Sequence, residues 1–119
     1  MKHPSYERFA EGYLLTRSSM HWFHGHYLRG PEDKADWRTS PLNAASLEGL
    51  PPAYVLTAGY DPLSDEGEAY ARRLVEAGVR VTSRRYPGQI HGFLTMGRLI
   101  AAAGPALDEA GAVLRAAMV

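Results

Sequence analysis

Two residues of this sequence stand where acid–base chemistry is done in sheets of parallel strands. Asp61 lies in Gly59-Tyr60-Asp61-Pro62-Leu63, directly after a short apolar run, and His91 lies in Pro87-Gly88-Gln89-Ile90-His91-Gly92-Phe93, just after a second extended stretch. Functional groups of open α/β sheets gather at the carboxyl ends of strands. A carboxylate that holds one nitrogen of an imidazole fixes its tautomer and stabilises the imidazolium, leaving the other nitrogen free to act as base on a serine. Each residue also has a plainer reading. Asp followed by Pro is what a helix N-cap and first helical residue look like, and on pattern alone that reading of Asp61 is the stronger. A single His in a loop is usually a surface or hydrogen-bonded residue. Relative placement sharpens the paired reading: adjacent parallel strands lie about 4.8 Å apart, so loops leaving their carboxyl ends bring carboxylate and imidazole within reach.

The remaining candidates are weaker. His21, His24 and His26 resemble a metal cluster, but only the first pair has same-face helical spacing, and no nearby Cys or well-placed carboxylate completes the ligand set, so no metal is expected. Trp22, Phe23 and Tyr27 suit either the lining of a pocket or, by preference, core packing. The chain has no cysteine, which rules out a disulfide framework, thiolate metal sites and a cysteine nucleophile. Thirteen basic and thirteen acidic residues are interspersed, giving zero net charge and nothing to recruit nucleic acid or an acidic membrane surface. A neutral small molecule or another protein is the expected partner. The opening stretch Met1–Ala10 is polar, and no later segment approaches a membrane span, so a cytoplasmic location is the expectation.

The elements that must position Asp61 and His91 can be read from periodicity. Ala53 to Ala58 is an almost continuously apolar run between Pro52 and Gly59, the pattern of a strand buried on both faces. A helix follows, with Asp65 and Glu66 in its first turn, an apolar stripe of Tyr70, Leu74 and Ala77 beside Ala71 and Val75, and Gly78 as its stop. Val79 to Tyr86 reads as a second strand, with Arg80, Arg84 and Arg85 suggesting an edge, and Gly88 as the start of a loop. Pro105 opens a last helix through Leu107, Ala110, Val113, Leu114 and Ala117. Upstream, Ser18 or Ser19 caps a short helix through Met20 and Tyr27, and a loop-rich stretch runs from Arg29 to Pro52. Strand, helix, strand, helix in this order implies a right-handed crossover and a parallel sheet with helices on its faces. Two such strands look like the end of a larger sheet.

Taken in order, Asp61-Pro62-Leu63-Ser64-Asp65-Glu66-Gly67, Tyr70-Ala71, Leu74, Ala77-Gly78-Val79, Tyr86-Pro87-Gly88 and Ile90-His91-Gly92-Phe93 resemble the C-terminal signature of the hormone-sensitive-lipase-like esterases, the bacterial family IV enzymes of the α/β-hydrolase fold. Upstream, Ala10-Glu11-Gly12-Tyr13-Leu14-Leu15-Thr16, Met20 with Trp22-Phe23, Tyr27-Leu28, Ser40-Pro41-Leu42 and Leu50-Pro51-Pro52-Ala53 are similar to that family as well. The resemblance covers nearly the whole chain, with the motifs in order and at the family's spacing. It implies an α/β fold class, the C-terminal part of an α/β-hydrolase fold. A cap-side helix and loop region would occupy residues 1–52, and the last two parallel strands with their helices residues 53–119.

The resemblance further implies that Asp61 is the acid and His91 the general base of a Ser-Asp-His triad, with Asp65 and Glu66 as helix-start residues. The implied activity is carboxylic ester hydrolysis of a small-molecule ester, with no cofactor. The Gly-x-Ser-x-Gly elbow that carries the nucleophile in this fold does not occur in the sequence, nor does a His-Gly-Gly-type oxyanion loop. The expectation is therefore that the chain supplies acid and base, and that alone it is inactive. The competing expectation is a non-catalytic fragment or assembly partner that docks through exposed sheet surface, onto itself or onto an N-terminal half.

Overall fold

A computed structural model describes residues 3–118, so the first two residues of the polar stretch Met1–Ala10 lie outside the described part. Its centre is a parallel pair of strands, β1 (Ala53–Tyr60) and β2 (Val81–Ile90), joined by α3 (Ser64–Glu76). Two helices precede them, α1 (Ser5–Arg8) and α2 (Arg17–Tyr27), and α4 (Ala103–Ala117) follows. Side chains alternate across a strand, and the two faces of the pair carry two separate cores. Ala53, Val55 and Val81 pack with Leu74 and Tyr70 of α3, with Ala77 just after it and with Leu47 from the preceding loop. On the other face Leu56, Ala58 and Tyr86 pack with Phe93 and with Ala103 and Ala106 of α4, both fully buried.

Helix α3 ends as its Gly78 stop foretells. The Gly78 N–H donates to the Val75 carbonyl and the Val79 N–H to that of Leu74, the paired bonds of a Schellman ending. Its stripe is narrower than expected. Ala71 and Leu74 are buried, but Val75 is 58% exposed, one position beyond the face that meets the sheet. The loop-rich stretch is pinned to this helix by Arg73, whose guanidinium donates to the carbonyls of Leu42 at 2.5 Å and Ala44 at 2.9 Å.

Beyond β1 running on to Tyr60 rather than Ala58 and β2 starting at Val81 rather than Val79, three boundaries differ from the sequence reading. The cap of α2 is Thr16 rather than Ser18 or Ser19: Thr16 has extended backbone, its hydroxyl accepts the Ser19 N–H at 3.1 Å, and the Ser19 hydroxyl accepts the Thr16 N–H at 3.0 Å. Ser19 is thus the reciprocal partner of a capping box. Pro105 lies within the first turn of α4, which begins two residues earlier, at Ala103. The third difference bears on the site. Strand β2 does not stop at Tyr86 but runs to Ile90, through Pro87 and Gly88.

It does so by a register shift. Ala58 pairs with Tyr86, yet Tyr60 pairs with Ile90, so Gly59 alone on β1 opposes Pro87, Gly88 and Gln89 on β2. Extra residues bulge out of a ladder, and Pro, which has no N–H to donate, is tolerated there. The bulge brings the two backbones together: a Cβ on Gly59 would collide with the backbone carbonyl of Pro87. Gly59→Ala is therefore expected to lower stability by roughly 1–3 kcal/mol, the usual cost of overpacking. Urea denaturation of the two proteins side by side measures it, and an unchanged midpoint would mean that the bulge yields without strain.

Candidate active site

Asp61 is the first residue beyond β1, and only 8% exposed. Its backbone carbonyl accepts the Ser64 N–H at 3.1 Å, and its Oδ1 accepts the Leu63 N–H at 2.8 Å, the side-chain-to-backbone bond of an Asx turn. The helix itself starts later, after Leu63, with no side-chain cap. Asp61 thus organises the turn into α3 without being its N-cap. Its other oxygen is free of that duty, and Oδ2 lies 2.9 Å from Nδ1 of His91. The capping type of contact and the imidazole contact share one carboxylate.

His91 is held from both sides. Ile90 before it is the last paired residue of β2, and Phe93 after it is 1% exposed in the core beneath α4. Gly92 between them has φ 72°, the left-handed region that only glycine enters without strain. A carboxylate oxygen at this distance favours the tautomer with the proton on Nδ1 and the lone pair on Nε2. Nε2 makes no hydrogen bond among the described residues, and the imidazole side is open to solvent, with 38% of the side chain exposed against 11% for Asp61. A buried acceptor behind a half-exposed imidazole is an arrangement able to take a proton at Nε2 and return it.

The neighbouring acids have partners that no local pattern announces. Both stand in the first turn of α3, as read from the sequence. In addition, Asp65 Oδ2 accepts the backbone N–H of Ser5 at 2.8 Å, and Glu66 accepts a hydrogen bond from the Tyr6 hydroxyl. Burial, with Glu66 adding to it, raises the Tyr6 phenol above its ordinary value, so its proton stays on oxygen for this bond. These contacts span sixty residues of chain. Around the end of β1, Tyr13 stacks on Tyr60 at 5.3 Å and Phe9 meets the same ring edge-on at 5.8 Å.

On α2 the three histidines do not converge. The His26 ring packs against Trp22 at 4.2 Å, burial together with Lys34 and His21 lowers His24 below its ordinary value, and the described residues hold no group of three or more ligands placed for a metal ion. Core packing does not describe the aromatics beside them: Trp22, Phe23 and Tyr27 are all more than half exposed. Helix α2 lies outside both cores, and nothing described packs over these rings as a core would.

A family model described as alpha/beta hydrolase fold matches residues 1–95. The chain belongs to that family. Among curated proteins it is 46% identical to the carboxylic ester hydrolase LipN of Mycobacterium tuberculosis, over 91% of this chain and 29% of LipN. Among solved structures it superimposes on an ester hydrolase from the metagenome of Lake Arreo, complexed with a bipyridine phosphonate derivative, with TM-score 0.93 and 51% identity over 98% of this chain and 37% of that one. The thermostable carboxylesterase EstE1, cloned from a metagenomic library, gives TM-score 0.94 and 42% identity over 98% of this chain and 40% of its own. The α/β-hydrolase chain thus spans well under half the length of these relatives, as a partial fold of two parallel strands with flanking helices. No described helix is long and apolar enough to cross a membrane.

Proposed function

We propose that this chain supplies the acid and the base of a serine carboxylic ester hydrolase. The observation that carries the reading is the 2.9 Å contact between Asp61 Oδ2 and His91 Nδ1, beyond the carboxyl ends of neighbouring parallel strands, with Nε2 uncommitted. The relatives named as ester hydrolases support the reaction class. In the reaction, Nε2 of His91 takes the proton of a serine hydroxyl as that oxygen attacks the ester carbonyl carbon. The same proton passes to the alkoxide oxygen as the C–O bond breaks, leaving an acyl-enzyme and the free alcohol. Water then repeats the sequence, its proton going to His91 and on to the serine oxygen as the acid departs. Asp61 holds the imidazole in the reactive tautomer throughout and stabilises it when charged.

The serine belongs to a portion outside this sequence, which has no Gly-x-Ser-x-Gly elbow. Among the described residues β1 pairs only with β2, so its other edge offers free backbone donors and acceptors to that portion. The chain alone is expected to show no turnover of p-nitrophenyl butyrate, because neither nucleophile nor oxyanion hole is present. Joined to or co-refolded with a serine-bearing portion of a family member, it is expected to hydrolyse the ester and to be labelled by a phosphonate at that portion's serine. Turnover by the chain alone, with stoichiometric label on one of its own serines, would overturn the reading. A stable complex without turnover would support an assembly partner instead.

A further inference from the structure

The carboxylate of Asp61 is oriented by one peptide group, and that group is itself held from elsewhere in the chain. The Leu63 N–H that donates to Asp61 Oδ1 belongs to the Pro62–Leu63 peptide, whose other end is the Pro62 carbonyl. That carbonyl accepts the Ser5 hydroxyl at 2.6 Å. Ser5 is fully buried, and its own backbone N–H is fixed by Asp65 Oδ2 at 2.8 Å, while the Asp65 N–H approaches the Ser5 hydroxyl at 3.4 Å. A peptide group is planar, so its two ends cannot turn independently.

We infer that Ser5 is a positioning residue for the acid: its hydroxyl holds the carbonyl end of the 62–63 peptide, and so aims the N–H end at Asp61 Oδ1 and leaves Oδ2 facing His91. The links run from Ser5 Oγ–H to the Pro62 carbonyl, from the Leu63 N–H to Oδ1, and from Oδ2 to Nδ1 of His91, at 2.6, 2.8 and 2.9 Å. Hydrogen bonds in such a series polarise one another, because a carbonyl that accepts makes its peptide N–H a better donor. Without the Ser5 donor, the buried Pro62 carbonyl loses this partner, and the peptide is free to tilt toward another. The tilt withdraws the N–H from Oδ1 and lets the carboxylate rotate about its bond to Cβ. The rest of the segment from Ser5 to Tyr13 packs beside the serine without touching the 62–63 peptide, with Tyr6 bonded to Glu66 and with Phe9 and Tyr13 on Tyr60.

This inference rests on the acid–base reading of Asp61 and His91, and its test separates the two. The full chain, labelled with 15N in its histidines, gives the tautomer of His91 from the ring nitrogen shifts, with Asp61→Asn as the reference for an imidazole without its carboxylate. Wild-type protein is expected to show the Nδ1-protonated form, distinct from Asp61→Asn. Ser5→Ala is expected to move His91 at least halfway toward the Asp61→Asn signature while the backbone amide spectrum stays dispersed. Ser5→Cys, close in size but a poor donor, is expected to do the same, and it decides the matter if the alanine variant fails to fold. Tyr6→Phe, which breaks a neighbouring bond without touching the 62–63 peptide, is expected to leave His91 as in wild type. If wild type matches Asp61→Asn, the acid–base reading falls, and Ser5 with it. A folded Ser5 variant with a wild-type His91 signature, or a shift in Tyr6→Phe as large as in Ser5→Cys, would overturn the role of Ser5 alone.

Discussion

Asp61→Asn, introduced into the enzyme reassembled from this chain and its serine-bearing portion, is expected to lower kcat by about four orders of magnitude with the fold intact. The size of the effect follows from what each oxygen does. An Asn side chain can still accept the Leu63 N–H through its carbonyl oxygen, so the turn into α3 is kept. Its amide nitrogen then faces Nδ1 of His91, where only an acceptor is tolerated. The imidazole proton moves to Nε2, and the atom that must remove the serine proton already bears one. kcat and kcat/KM should fall together, since the lost interaction is made with the charged imidazole of the transition state. His91→Ala, which removes the base outright, should cost at least as much. Steady-state hydrolysis of p-nitrophenyl butyrate, with circular dichroism to confirm the fold, measures both. A loss under tenfold for Asp61→Asn would mean that another carboxylate serves the imidazole.

Phe93→Ala is expected to destabilise the protein by about 3–5 kcal/mol, the range for emptying an aromatic site in a core. Phe93 is 1% exposed, lies 5.2 Å from the Tyr86 ring, and fills the space between Ala58 on β1 and the fully buried Ala103 and Ala106 on α4. Small alanines around a large ring cannot collapse far into the cavity it leaves. Against a total stability of about 5–15 kcal/mol, such a loss is a large share of what holds a domain folded. It also frees the turn after His91, whose far side Phe93 secures. Urea midpoints at an unchanged m-value report the loss, and a shift worth less than about 1 kcal/mol would show that the site repacks.

What could be read in the sequence was what is local. The apolar run of β1, the Gly78 stop of α3 and the placement of Asp61 just past a strand all depend on neighbours within a few residues, and the resemblance to the family rests on such segments. Tyr86-Pro87-Gly88 misled for the same reason: Pro and Gly signal a break locally, but here they fill a bulge that exists only because Gly59 of another strand makes room. The cap of α2 was misread because several hydroxyls cluster at its start, and only backbone conformation selects Thr16. The exposure of Trp22, Phe23 and Tyr27 could not be foreseen from residue type, which favours burial in general. Ser5 gave no signal at all. Its partners lie fifty-seven and sixty residues away, and a lone serine near a chain start has no pattern that names them.

Asp61 and His91 stand thirty residues apart, joined by a single helix between paired strands, whereas the Ser5 contacts reach about twice as far along the chain. Closing a short loop costs less entropy than closing a long one, and contacts close in sequence form early in folding. The order of assembly follows from this separation. The strand–helix–strand unit of β1, α3 and β2 is therefore expected to bring Asp61 to His91 before the segment from Ser5 onward docks on the turn. On that order the imidazole and its carboxylate come together as one preassembled piece that does not wait for the Ser5 segment.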